Sequence, residues 1–482
     1  MYTRPSPTTR SLDALTYASL ATTACVGAAA FVGPLAALVQ LLYPASALVT
    51  AALLLWRRPA LYTEFMWWVW FLTPAVRRLV DLHVGYTDAS PVMLAPFLVA
   101  GAALAAVLRR LGKLPCAYRL PLAFTAGGLL YGYTVGLLYN GPVAATFDLL
   151  TWGVPVVSGA YVLTQRESVS AFRTATQRAF MWGLLVMGVY SLVQYFYLPP
   201  WDGYWMDHAG LGSIGVSEPR EVRVFSTLNS PGPFATVVMA GLLLAFSGKG
   251  VINMLGTTAG LVGFALSAVR SAWGGWVVGV LIVLVSLPLR QRARLLGTLL
   301  LLAVVAVPLF TVGPIAELLS QRLGTLTNLQ EDTSFNDRLA LYTRFSSFTS
   351  GNVLGQGLGG TGVAAGLRNA STALQDLDSG VIAVIYTFGL LGTLYYVGGA
   401  FFLFGAALRS GLRSRSSADA VYIGIMVGTV SQLAFGNVWG GAPGMILWFF
   451  PCLYLASREE RALSPEEDGG VGGFGQRRAA YD

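Results

Sequence analysis

Several arginines stand beside apolar segments, where a charged side chain needs a reason to be present. Arg220 and Arg223 come just before an apolar run, and Arg270 lies between the apolar runs 251–268 and 272–289. A guanidinium group can hold two phosphate oxygens at once, and a charge at membrane depth is costly unless it is paired. Arg270 therefore fits a lipid-linked phosphate. The alternative is a plain hairpin turn with one arginine that extends to the membrane surface.

Two carboxylates, Asp376 and Asp378, stand just before the long apolar run 381–406. A carboxylate can accept the proton of an attacking hydroxyl group. The same residues can cap the helix that follows, because acidic side chains satisfy free N–H groups and suit the helix dipole. The two roles are compatible, since a capping carboxylate can still face a cavity.

The stretch SFNDRLALYTRFSSF, residues 334–348, has apolar residues at helical spacing. This pattern predicts an amphipathic helix near the membrane surface, on which Arg338 faces either a cavity or solvent. The stretch GNVLGQGLGGTG that follows, residues 351–362, contains six glycines but lacks the Lys-Ser/Thr pair of a phosphate-binding loop. Its glycines indicate tight backbone turns.

Metal chemistry is not expected from this sequence. His83 and His208 are the two histidines, and the three cysteines are scattered among apolar or basic segments. Neither set has the spacing of a metal site or of a disulfide framework. We therefore expect no metal and no cofactor.

The composition indicates what kind of molecule must position these residues. The chain has 482 residues, of which 55% are hydrophobic and 11% charged, with a mean hydropathy of +0.62. A soluble protein of this length has no way to bury so much apolar surface, so the sequence predicts an all-α protein that spans a membrane many times. We count fourteen apolar runs that could cross a bilayer, with an uncertainty of about two, and so expect about 12–14 spans.

Basic residues occur in short clusters between these runs, which argues against a nucleic-acid partner in spite of the net charge of +8. Such clusters are typical of cytoplasmic anchors, so we place them and both termini on the cytoplasmic side. The clusters are Arg57-Arg58, Arg109-Arg110, Arg290 to Arg294, Arg409 to Arg415 and Arg458 to Arg461.

Two long loops then lie on the outer side, at about 198–232 and 314–380, and loops of such length are usually functional. Residues 1–458 form one polytopic membrane domain in this scheme. The polar, glycine-rich tail 459–482 is expected to be disordered and cytoplasmic.

The order of these features resembles the O-antigen ligase and Wzy-type polysaccharide polymerase superfamily of bacterial inner membranes. Arg223 precedes an Asn-Ser-Pro turn that begins at Asn229, and the hairpin LSAVRSAWGGW follows. Next come NDRLALY, NVLGQGLGGTG and DSGVIAVIYTFGLLG. The segment WWVWFLTPAVRRLVDLHVGY, residues 67–86, is similar to the exopolysaccharide-polymerase branch in particular.

The resemblance implies a metal-independent glycosyltransferase of GT-C-like architecture whose site faces the periplasm or the outside. Its donor and acceptor would be glycans on undecaprenyl diphosphate, held in the lipid bilayer, with a chain-length regulator and export proteins as further partners. Arg223, Arg270 and Arg338 would then bind the donor diphosphate. Asp378 stands where the ligases carry a catalytic histidine, which favours a polymerase with Asp378 as the base.

Secondary candidates around this site are Arg220, Asn229, Asp376, His208 and Arg77. Arg220 has a simpler interpretation, because Glu218 and Glu221 flank it and surface ion pairs would account for its charge.

Two other functions stay open. A ligase would transfer the glycan to a lipid A core or another acceptor. A flippase or transporter for the lipid-linked glycan would also need polar groups in a membrane cavity, but distributed through the spans and with broken helices.

Overall fold

The computed structural model describes residues 13–166, 168–293, 295–297, 299–300, 353–367, 379–412 and 416–463. Throughout these ranges the regular elements are helices, and the one strand-like feature is an isolated bridge between Gly215 and Val222. The predicted all-α class is therefore confirmed for the described residues. Arg338, Asp376 and Asp378 lie outside them, as does the predicted amphipathic helix. Of the tail 459–482 that was predicted to be disordered, residues 459–463 are helical, and the rest lies outside the described residues.

The α-helices are numbered here in chain order. They are α1 (Ala14–Ala28), α2 (Gly33–Arg57), α3 (Pro59–Val84), α4 (Leu94–Gly101), α5 (Leu104–Leu111), α6 (Cys116–Tyr139), α7 (Pro142–Leu163), α8 (Val169–Tyr197), α9 (Pro200–His208), α10 (Pro231–Leu244), α11 (Val251–Leu266), α12 (Arg270–Ser286), α13 (Gly362–Gly366), α14 (Gly380–Gly411), α15 (Ser417–Val430) and α16 (Gly441–Leu463).

Seven helical segments of the described chain are long and apolar enough to cross a membrane: Ala14–Phe31, Gly33–Arg57, Pro91–Leu111, Cys116–Tyr139, Pro142–Leu163, Val169–Tyr197 and Gly380–Gly411. Three further apolar helices are shorter, at Pro231–Ser247, Val251–Leu266 and Arg270–Ser286. Each of these three is about 25 Å long, below the roughly 30 Å of a bilayer core. The structure thus supports a multi-pass membrane protein. Seven of the 12–14 predicted spans have full length in the part of the chain that the structure describes, and most of the predicted run 295–313 lies outside that part.

The outer surface of the bundle suits a lipid environment. Large apolar side chains on α2 and α14 are well exposed, with Leu41 and Leu394 at 70% and Phe402 at 65% of full exposure. Apolar surface of this kind is stable only where lipid or another protein covers it.

The first two apolar runs form two separate helices, α1 and α2, which pack together as a helical hairpin. The start of α1 and the end of α2 are joined by an ion pair of 3.0 Å between Asp13 and Arg57. The Asp13 carboxylate also caps α1 by accepting from the Thr16 N–H. The next apolar run, 61–79, lies inside the continuous helix α3, which includes the charged residues of VRRLVD.

Successive helices run back and forth between two ends of the bundle. At one end, which we call the basic face, Arg110 donates to Gln165 at 2.6 Å and Tyr118 donates to Glu459 at 2.8 Å. The opposite end, which we call the loop face, carries the connections 85–93, 198–230, 353–367 and 435–440. The predicted basic clusters that the structure describes share the basic face.

Helix α14 is interrupted at Gly389, whose backbone angles are φ 61° and ψ −166°. Residues 353–360, which we call the glycine segment, fill this interruption. The amides of Gln356 and Gly357 donate to the carbonyls of Tyr386 and Thr387, each at 2.9 Å. Non-helical backbone inside a membrane protein requires protein partners of this kind.

Candidate functional site

A cavity of about 1330 Å³ opens among the helices at the loop face. One face of α3 lines it through Trp70, Pro74 and Arg77, which lie one and two turns apart on the helix. The remaining walls come from 86–97, the start of α7, 205–211, 228–233, 361–367 and 437–442. Distant parts of the sequence therefore meet around one space, which is the usual construction of a ligand site.

Arg77 places a guanidinium group in the cavity wall. Its side chain is only 7% exposed and forms an ion pair of 3.0 Å with Asp81, one turn further along α3. The guanidinium carbon lies 4.6 Å from the ring centre of Trp205 and 5.6 Å from that of Tyr86. A further N–H donates to the carbonyl of Thr87. Stacking and pairing hold the group rigidly at this position.

His208 belongs to an aromatic stack next to this wall. Its ring lies 4.1 Å from the Tyr204 ring and 6.2 Å from the Tyr86 ring, and it is exposed at the loop face. Burial raises the pKa of Tyr86 to about 12, reinforced by the hydrogen bond from its hydroxyl to Asp88. The Tyr86 hydroxyl therefore stays protonated at neutral pH and acts as a donor there.

Asn229 reaches the same cavity from the turn before α10. Its amide nitrogen lies 3.8 Å from the Met93 sulfur, and its backbone carbonyl accepts from the Trp205 indole at 3.2 Å. Of the secondary candidates, Arg77 and Asn229 thus line the cavity, and His208 belongs to a helix that does. Arg220 is exposed, with a left-handed backbone (φ 71°) and its N–H bound to the Tyr195 carbonyl.

Arg223 contacts the turn that precedes Arg270, elsewhere on the loop face. The Arg223 guanidinium donates to the carbonyl of Ala268 at 3.1 Å, in the turn that leads into α12. Arg270 is the first residue of that helix. A cation at a helix N-terminus opposes the helix dipole, so the stability of α12 does not explain Arg270. Neither arginine is among the described residues that line the cavity.

The glycine segment is a folded part of the bundle and no phosphate cradle. Asn140 donates to the carbonyls of Gln356 and Leu358, at 2.7 and 3.0 Å, and the buried carboxylate of Asp148 accepts from the Gly359 N–H at 2.7 Å. Its N–H groups at 356–359 are thus directed to protein acceptors. Asp148 also lines the cavity, so it ties the segment to the adjacent wall 361–367.

Asp378 was the predicted catalytic residue, and it lies outside the described residues together with Asp376 and Arg338. The described residues on either side of 368–378 are close to the cavity. Leu367 lines it, and Gly380 donates to the Gly436 carbonyl at 3.1 Å, next to the lining residue Asn437. Ser379 is the N-cap of α14 and accepts from the Ile382 N–H, so the predicted acidic cap is replaced by a serine.

Sequence reasoning did not single out Arg78, Asp81, Asn140, Asp148, Gln194 or Asp202. All six are polar side chains at most 7% exposed in helices or helix ends near the loop face. The charged residues among them could have been found from the sequence, because they lie within or next to apolar runs. Ionisable residues in membrane segments usually have a function.

Among known proteins, no protein-family model matches this chain, and no curated protein matches it significantly.

Proposed function

We propose that this protein is a membrane glycosyltransferase that polymerises lipid-linked glycan repeat units at its loop face. The proposal is carried by one observation. A cavity large enough for several sugar rings lies among membrane helices, and polar side chains including the buried Arg77 and the half-buried Asn229 converge on it. The order of sequence features that resembles the polysaccharide polymerases supports the same function.

In this proposal Arg223, Arg270 and Arg338 hold the diphosphate of the undecaprenyl-linked donor. A hydroxyl oxygen of the acceptor attacks the anomeric carbon of the donor sugar, and the bond from that carbon to the diphosphate oxygen breaks. Guanidinium groups stabilise the negative charge that develops on the leaving diphosphate. Asp378 accepts the proton of the attacking hydroxyl.

The cavity then holds the saccharide part of the donor and acceptor, next to the diphosphate-binding arginines and Asp378. Tyr86 and Trp205 offer aromatic surface, and the amide of Asn229 can both donate and accept hydrogen bonds, as sugar hydroxyls require. The proposal also includes the orientation of the protein, with the loop face towards the periplasm or the outside. This orientation is supported by the basic residues at the opposite face, because basic residues are in excess on the cytoplasmic side of membrane proteins.

The decisive experiment uses purified full-length protein in lipid nanodiscs with lipid-linked repeat units as the sole glycan. We expect a ladder of products, and we expect Asp378→Asn and Arg223→Ala to abolish it while each variant still folds. Arg461→Lys, at the basic face, is the matched control and should retain the ladder. Normal long products from either site variant remove that residue from the site. Product formed only after addition of a lipid A core acceptor identifies a ligase.

A lipid-linked glycan transporter is the second candidate, because the interruption of α14 at Gly389 is a feature of transporters. In proteoliposomes, movement of the lipid-linked glycan across the bilayer without chain extension would favour the transporter over the polymerase.

A further inference from the structure

The segment 222–229 connects the two groups of candidate residues. Arg223 stands near its start and contacts the turn before α12, whereas Asn229 stands at its end in the cavity wall. Buried polar side chains of α3 and α8 contact the middle of this segment, and a buried carboxylate of α9 lies between these two side chains. We propose that Arg78, Gln194 and Asp202 are positioning residues that fix its path.

Arg78 makes the central contacts. Its Nη1 and Nη2 donate to the carbonyls of Leu228 and Ser226, each at 2.6 Å, and its Nε lies 3.1 Å from Asp202. The guanidinium carbon also lies 4.8 Å from the ring centre of Phe225. The side chain is fully buried. Two of its N–H groups thus bind the backbone of the segment, and through this backbone Arg78 acts as a positioning residue.

Gln194 binds the backbone N–H groups in the middle of the segment, whereas Arg78 binds backbone carbonyls. Its carbonyl oxygen accepts from the N–H groups of Phe225 and Ser226, at 2.9 and 2.8 Å. Its amide nitrogen donates to Asp202 at 2.8 Å. Asp202 accepts in addition from the Tyr190 hydroxyl at 2.9 Å. The carboxylate thus joins the two side chains that hold the segment, Gln194 by a hydrogen bond and Arg78 by an ion pair.

The backbone between these contacts is strained. Ser226 has φ 52°, in the left-handed region that a residue with a Cβ atom adopts reluctantly. Arg78 binds its carbonyl, Gln194 binds its N–H, and its own hydroxyl donates to the Met187 carbonyl at 2.6 Å. Such a conformation persists when its surroundings over-determine it, and here all of its polar groups are engaged.

The network has a functional consequence that rests on the proposed function. Arg223 precedes Ser226 by three residues and Asn229 follows it by three, so the strained turn sets the spacing and direction of both. If the segment relaxes, the diphosphate-binding arginine and the cavity amide shift relative to each other. Small displacements of binding groups are expensive in catalysis.

The test compares Arg78→Lys and the milder Tyr190→Phe with wild-type protein in nanodiscs, with Arg461→Lys as the control for an altered arginine–aspartate pair. Arg461 binds the buried Asp419 at 2.7 Å, at the basic face. We expect amide hydrogen exchange of a peptide covering 222–232 to accelerate at least about tenfold in Arg78→Lys and less in Tyr190→Phe. The KM for the lipid-linked donor should rise in the same order, with the melting temperature close to that of the control.

Two results overturn the proposal: unchanged exchange of 222–232 in both variants, or accelerated exchange with an unchanged donor KM. The exchange measurement needs no substrate. If wild-type protein forms no polymer while the variants loosen the segment, the proposed polymerase function fails and the positioning of the segment stands.

Discussion

Arg77 and Arg78 are neighbours in the sequence, yet they serve different parts of the site. Adjacent residues of a helix point about 100° apart, so one guanidinium group enters the cavity wall and the other reaches the segment 222–229. Each has its own carboxylate partner, Asp81 for Arg77 and Asp202 for Arg78. The short sequence VRRLVD thus supplies both partners of one buried ion pair and the arginine of a second.

Removal of one partner of such a pair should cost more than removal of both charges. Arg77→Met leaves the fully buried Asp81 without its counter-charge, which typically costs about 3–5 kcal/mol. The double variant Arg77→Met/Asp81→Asn removes that uncompensated charge. We expect its melting temperature in detergent to lie between those of Arg77→Met and wild type. A double variant less stable than Arg77→Met would contradict this account of the pair.

At the scale of elements, the junction of α6, α7 and α14 with the glycine segment supports one wall of the cavity. Gly355, Gly357 and Gly359 all have positive φ, between 74° and 91°. A Cβ atom on Gly136 of α6 would lie 2.3 Å from the Leu358 carbonyl oxygen. The helix and the segment therefore touch backbone to backbone, which only glycine permits at this position.

This contact predicts opposite results for two glycines of one helix. Gly136→Ala should displace the glycine segment and lower the melting temperature, by a cost of about 1–3 kcal/mol typical of overpacking. Gly127→Ala is the matched control, since its Cβ would meet only a Tyr395 ring carbon at 3.9 Å, an ordinary contact. Alanine at position 127 should be neutral or slightly stabilising, because it favours helix over glycine. Equal melting temperatures for the two variants would refute the close contact.

The elements were predictable from the sequence where local properties determine them. Apolar runs of sufficient length predicted α1, α2, α6 and α7 with small errors at their ends. For α8 the predicted run was 179–197, whereas the helix begins ten residues earlier, at Val169. The interruption of α14 was not predictable, because IYTFGLLG reads as continuous apolar helix and its interruption is stabilised by residues 353–357. Likewise, Arg78 and Asp202 lie 124 positions apart, and no local pattern relates them. Such pairings arise only from tertiary packing.

At the scale of the whole molecule, the clusters of basic residues and the cavity lie at opposite faces of the helical bundle. The basic face holds the arginine clusters between the apolar helices, and the loop face holds the cavity, the strained turn at Ser226 and the glycine segment. Excess basic charge marks the cytoplasmic side of a membrane protein. A substrate reaching the cavity would therefore come from the opposite side.

Cysteine labelling in intact cells tests this orientation. In a background with the exposed Cys25 and Cys116 changed to serine, single cysteines replace Asp88 and Ser213 at the loop face, or Lys113 and Lys249 at the basic face. A membrane-impermeant maleimide should label the first pair in intact cells and the second pair only after permeabilisation. The inverse labelling pattern would place the cavity in the cytoplasm. Cys452 is buried and should remain unlabelled.

The interruption of α14 also has a consequence for how the protein inserts into the membrane and folds. The interruption lies nine residues, about 13 Å, from the first residue of the helix, and unpaired backbone groups in lipid cost several kcal/mol each. The glycine segment that satisfies them is itself held by Asn140 and Asp148, at the ends of α6 and α7. These two helices leave the ribosome long before α14 does. We therefore expect these two helices to be in place first, and the interruption of α14 to gain its backbone partners only when the glycine segment docks on them.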